Sequence, residues 1–136
     1  MAVTANSIIT PQTPRSNAVG VATANTTFTT SPTNTALLVT FGANGGRLTR
    51  LSATPLENVT ANNLQAYRDV GTAGVSKYLF AAVTGGSDTV SGADGPATLD
   101  FGYSDDNPLI GQPNERIYVA TGIAKAYNFI AEWADY

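Results

Sequence analysis

The stretch Ala36-Leu37-Leu38-Val39-Thr40-Phe41-Gly42-Ala43-Asn44-Gly45-Gly46-Arg47-Leu48-Thr49-Arg50-Leu51-Ser52-Ala53 decides the fold class. Its opening residues place Leu37, Val39 and Phe41 on one face by the two-residue period of a half-buried strand. Gly42 to Gly46 then break the pattern with an Asn-Gly step, which tolerates the positive φ that tight hairpins require. Arg47 to Ala53 reads as the return strand. Leu48 and Leu51 are three residues apart and would face opposite ways on a regular strand. A bulge, or burial on both sides, is therefore implied. The expectation is a β-hairpin over residues 36–53.

Working outward, the same period recurs. Leu64 to Val70 and Val75 to Val83 form a second strand pair around the turn Gly71-Thr72-Ala73-Gly74. Residues 84–96 form a polar, glycine-rich loop. Ala97 to Tyr103 puts Leu99, Phe101 and Tyr103 on one face, and Ser104 to Pro108 turns. Pro108 to Glu115 is a bend too rich in proline for a helix. Arg116 to Thr121 is a short strand with Ile117 and Val119 inward. The last segment, Tyr127 to Tyr136, fits two patterns. Tyr127, Phe129, Ala131 and Trp133 alternate as in a strand, whereas Tyr127, Ile130, Ala131 and Ala134 match a helix face. The strand is preferred, because a sandwich needs a last strand to close it.

Toward the N-terminus, residues 17–30 alternate weakly through Val19, Val21 and Phe28 and read as one or two short strands. Residues 1–16 read as an extended arm. Pro11 and Pro14 disfavour a helix or a central strand there, and Ile8-Ile9 is the arm's one apolar pair. Strands with turn signals every 8–12 residues mark a sandwich or barrel rather than alternating strands and helices. The expected fold is all-β: a single-domain, jelly-roll-like β-sandwich over residues 17–136 with an extended N-terminal arm over 1–16.

Composition narrows the function. The 136 residues contain no cysteine and no histidine. That removes disulfides, thiolate metal sites and the usual zinc, serine and cysteine hydrolase chemistries. Charged residues are 12% of the chain, about half the usual share. The net charge of −3 repels phosphate backbones, so no nucleic-acid partner is expected. A threonine-rich, uncharged surface suits strands and packed interfaces, where a charge would have to be desolvated. No apolar run approaches the ~20 residues of a membrane helix, and no membrane partner is expected. The start lacks a basic segment followed by an apolar one, so no secretion signal is expected, and if the protein leaves its cell another route, such as lysis, is expected.

Few residues are arranged for chemistry. Asp100, Asp105 and Asp106, with Asn107, are the densest acidic group, but their spacing completes no calcium loop, and a solvated turn with Asx caps is the better reading. No cofactor or metal is expected, and no nucleophile–base pair is found for an enzyme. Tyr67, Tyr78, Tyr103, Tyr118, Tyr127 and Trp133 would suit a sugar-binding module only if several were coplanar and exposed. Arg47, Arg50 and Arg68, read as lying on adjacent strands, are expected to pair with acids of a neighbouring subunit, as Ile8 and Ile9 are expected to enter a neighbour's groove.

The segments Asn107-Pro108-Leu109-Ile110-Gly111, Glu115-Arg116-Ile117-Tyr118-Val119-Ala120 and Ala134-Asp135-Tyr136 resemble small virion proteins of tailed bacteriophages. Gly46-Arg47-Leu48-Thr49-Arg50-Leu51 and the Pro/Thr arm are similar too. The resemblance implies a capsid decoration, or cement, protein on the outside of the phage head. Such a protein would partner the major capsid protein and copies of itself, commonly as a homotrimer where capsomers meet. It transfers no site residues. A tail, neck or fibre-associated structural protein is the alternative, and a carbohydrate-binding β-sandwich module the second.

Overall fold

The computed structural model describes residues 13–69 and 76–136. Among them are nine strands and no helix: β1 (Thr13–Val21), β2 (Ala36–Thr40), β3 (Gly46–Pro55), β4 (Asn62–Asp69), β5 (Tyr78–Gly85), β6 (Leu99–Asp100), β7 (Leu109–Gly111), β8 (Arg116–Thr121) and β9 (Tyr127–Asp135). Sheet I has the order β1-β9-β3-β6, and β7 also pairs with β3; sheet II has the order β2-β8-β4-β5. All pairings between these strands are antiparallel. β6 and β7 lie on the same flank of β3 and act as two pieces of one interrupted strand. Counted so, the described residues make eight strands in two sheets, with all but one connection crossing between sheets. This is the β-sandwich expected from the sequence, in jelly-roll order.

The core lies between the sheets. β9 shows the cleanest alternation: Tyr127, Phe129, Ala131, Trp133 and Asp135 are buried, while Asn128, Ile130 and Glu132 are exposed. The strand reading of 127–136 therefore holds. β9 runs between β1 and β3, and its inward rings meet Leu48, Leu51 and Ala53 of β3 and Leu64, Ala66, Ile117 and Val119 of sheet II in one cluster. The bulge implied by Leu48 and Leu51 is present. The β3–β9 register slips between Leu48 and Arg50, so both leucines face the core.

The stretch 36–53 folds otherwise than a hairpin. β2 and β3 belong to different sheets, and Gly42 to Gly45 is the corner between them, closed by Gly45 N–H donating to Gly42 O at 3.0 Å. Positive φ falls on Gly45, at 79°, and not on Asn44. The physical reason is burial. In a hairpin the apolar faces of β2 and β3 would lie side by side and both need a cover; on opposite sheets each is covered by the sheet it faces. A β-carbon on Gly46 would stand 2.5 Å from Ala134 O, so the corner also requires its glycine. Within β2 the register slips between Leu37 and Val39. Leu38 and Val39 are thus both buried and Leu37 is 43% exposed, against the expected Leu37-Val39-Phe41 face.

Other differences are smaller. β1 begins at Thr13, inside the predicted arm, and Pro14 is accommodated because β1 is an edge strand. No second strand follows; Phe28 is 55% exposed in an irregular segment. The strand expected over 97–103 shrinks to β6, yet Leu99, Phe101 and Tyr103 do pack against the core. The bend expected over 108–115 contains β7. β4 and β5 pair as expected, while Val70 and the turn 71–74 lie outside the described residues.

Residues 24–33 lie over the outer face of sheet II. Ala24 bridges Thr121, and Asn25, fully buried, donates to Gln65 Oε1 at 2.7 Å and to the Tyr67 hydroxyl at 2.9 Å. Gln65 and Tyr67 point away from the inter-sheet core, and this segment is what buries them. Burial pushes the Tyr67 phenol up from its ordinary pKa, and the hydrogen bond with Asn25 opposes that.

Candidate interaction surface

β1 pairs with β9 along its whole length and leaves its other flank as the edge of sheet I. Its first six residues, Thr13 to Ala18, are all exposed. Edge strands carry unpaired backbone donors and acceptors, and proteins usually blunt them with charge or proline. Here Pro14 and Arg15 do so at one end only. Across the corner lies β2, the edge of sheet II, tied to β1 by Asn17 Nδ2 donating to Leu38 O at 2.9 Å. Between the two edges opens a groove of about 500 Å³, lined by Arg15, Asn17 and Trp133 on one side and Leu37, Leu38 and Phe41 on the other. A second hollow, of about 590 Å³, lies beside it, lined by Ser16, Arg47, Thr49 and Glu132 among others.

The charges at this end are internally matched. Arg15 Nε donates to Asp135 Oδ2 at 2.7 Å, and Gly42 N donates to Asp135 Oδ1 at 3.0 Å. Tyr136 N donates to Gly45 O at 3.1 Å. One buried carboxylate thus joins β1, the end of β9 and the β2–β3 corner. Two donors are left over: the Trp133 indole N–H and Arg47 Nε are buried without an acceptor. Such groups cost about 1–3 kcal/mol each when unmet.

The arginines singled out by sequence are separated. Arg47 and Arg50 are on β3 in sheet I, and Arg68 is on β4 in sheet II, so they do not lie on adjacent strands. Arg47 Nη2 donates to Asp105 O at 2.6 Å. Arg50 pairs with Glu132 at 3.3 Å, both about half exposed. Arg68 is bound in its own domain: it reaches both oxygens of the fully buried Glu115, at 2.6 and 2.9 Å from Nη2, and Ile110 O at 3.2 Å. Ile8 and Ile9 lie outside the described residues.

The aromatic residues do not form a platform. Tyr67 and Tyr127 are fully buried, Trp133 nearly so, and Tyr103 packs against Phe80 with ring centroids 6.2 Å apart. Tyr118 lies under Lys77 Nζ, 4.6 Å from its centroid, and Tyr78 is 51% exposed. Burial raises the Tyr103 phenol, and nearby Arg68 opposes this. Among the acids, Asp100 Oδ1 accepts from Gly102 N at 2.7 Å, an Asx turn in an exposed loop. No group of three or more acids poised for a metal occurs among the described residues. Glu57 is held below the usual carboxylate range, first by the Ala126 N–H and then by Lys125.

Sequence reasoning missed Arg15, Asn17 and Asp135. A signal for Asp135 was available: it continues the inward series of Tyr127 to Trp133, and a buried acid on such a face needs a partner. A scan of protein-family models, a search of curated proteins and a search of solved structures each give no match.

Proposed function

We propose that this chain is a structural subunit of a virion, a decoration protein on the head of a tailed bacteriophage. The observation that carries the reading is the exposed edge strand β1 with open hollows on either side. A surface of this kind is suited to being covered by neighbours, as is the low charge of the chain. The jelly roll agrees, being an architecture used in viral shells, although fold alone assigns no activity. The virion-protein resemblance of the sequence points the same way, with the particle exterior as its place.

The mechanism is mechanical. A protein that binds several major-capsid subunits only in their expanded arrangement stabilises that arrangement by mass action. Many weak copies suffice, because multivalent engagement raises avidity without new contacts. The arm, ahead of β1, extends the reach of each copy.

The test is to mix the purified chain with expanded and unexpanded heads of the encoding phage and to count bound copies by mass spectrometry. Binding to expanded heads at hundreds of copies is expected. A few to tens of copies per particle places the chain at the neck, tail or fibre instead. No association with any particle, together with specific retention on a glycan, overturns the reading in favour of a sugar-binding module.

A further inference from the structure

We propose that the groove between β1 and β2 is a strand-acceptor site, and that its occupant is the N-terminal segment, residues 1–12, of a second copy of this chain. The inference rests on the assembly reading above and specifies which surface copies use on one another.

The groove has the features of such a site. It runs between two sheet edges, whose backbone groups other than Leu38 O, already taken by Asn17, are available to an added strand. Leu37, 43% exposed, gives its lining an apolar spot, with the buried Leu38 and Phe41 behind it. Its wall includes Trp133, 93% buried, whose indole N–H has no acceptor. A main-chain carbonyl in the groove would supply one.

The occupant follows from charge, composition and reach. The only ion pair lining the groove among the described residues, Arg15–Asp135, is already matched, so a charged ligand has no counter-charge to meet. Residues 1–12 have no Asp, Glu, Lys or Arg, and they hold the pair Ile8-Ile9. They precede Thr13 directly, where Arg15 and Ser16 form the groove's rim. Extended, 12 residues span roughly 40 Å. Proline at 14 biases Thr13 to the extended backbone with which β1 begins. On the assembly reading, a second copy presents its groove within that span.

Trp133 is the sole tryptophan, so emission reports on this end of sheet I, where it lines the groove and the hollow beside it. The full chain is diluted through its association range while sedimentation and tryptophan emission are recorded in parallel. Association is expected, with emission changing at the same midpoint. Leu37→Arg, on the groove, and Ile8→Asp, on the occupant, are each expected to weaken association at least tenfold while the far-UV spectrum stays that of a folded sheet protein. The proposal is overturned if the chain is monomeric throughout, or if it associates equally well with both substitutions. It is also overturned if Ile8→Asp changes the emission of a monomer, which would mean that the segment fills its own groove. No particle enters this experiment. A chain that associates through the groove but ignores phage heads refutes the decoration role alone, and a monomer that binds heads refutes the groove alone.

Discussion

Replacing Arg68 by Met isolates the cost of a trapped charge. Glu115 has no exposed side-chain surface, and every hydrogen bond to its carboxylate described above comes from Arg68. Met keeps much of the aliphatic stem's volume and removes the guanidinium. Breaking one side of a buried pair typically costs about 3–5 kcal/mol, because the remaining charge is left uncompensated. For a domain of this size each kcal/mol lowers the thermal midpoint by about 3–4 °C, so a fall of roughly 10–20 °C is expected by calorimetry. The double variant Arg68→Met/Glu115→Leu removes both charges and is expected to recover most of the loss. A loss below about 1 kcal/mol for Arg68→Met, or a double variant worse than the single, would refute the claim that Glu115 is held in place by its partner.

Four further outcomes follow from packing and titration. Gly111→Ala places a β-carbon inside van der Waals contact with the Phe41 ring and is expected to cost about 1–3 kcal/mol in urea unfolding. Asn25→Ala strips bonds from buried Gln65 and Tyr67, and a loss of about 1–3 kcal/mol is expected with sheet content intact by circular dichroism. The phenols of Tyr67 and Tyr103 are raised above 10.0 by burial, so their contribution is present below about pH 10 and lost as pH rises through the raised values. Urea midpoints should therefore decline above pH 10, and less steeply with Tyr103→Phe. Glu132→Gln breaks a half-exposed pair with Arg50 and should shift stability by less than about 1 kcal/mol, with any effect disappearing at high salt.

Strand positions were largely legible because period-two alternation is local. Ile117 and Val119, or Tyr127 through Trp133, declare their faces without knowledge of a partner. Even the β3 bulge could be read, because two leucines three apart cannot both be inward on a regular strand. What could not be read was pairing. Gly42 to Gly46 signals a reversal equally well for a hairpin and for a corner between sheets, and only the competition for β3's two flanks, taken by β9 and by β6 with β7, decides between them. The same limit hid the groove. Arg15 looked like part of a solvated arm, and its partner Asp135 is 120 residues away.

The placement of β9 has a consequence for how the protein is made. Of the nine described strands the last to be synthesised, β9, is an interior strand of sheet I, flanked by β1, the first of them, and by β3. Until it arrives, β1 has no partner in its sheet, and both it and β3 present raw edges beside an uncovered face of Leu48, Leu51 and Phe41. Contacts that span nearly the full chain form slowly, because their loop-closure entropy is paid before any reward. Sheet I therefore completes only once β9 is available, in one late step. A chain cut within residues 127–136 should therefore be lost to aggregation.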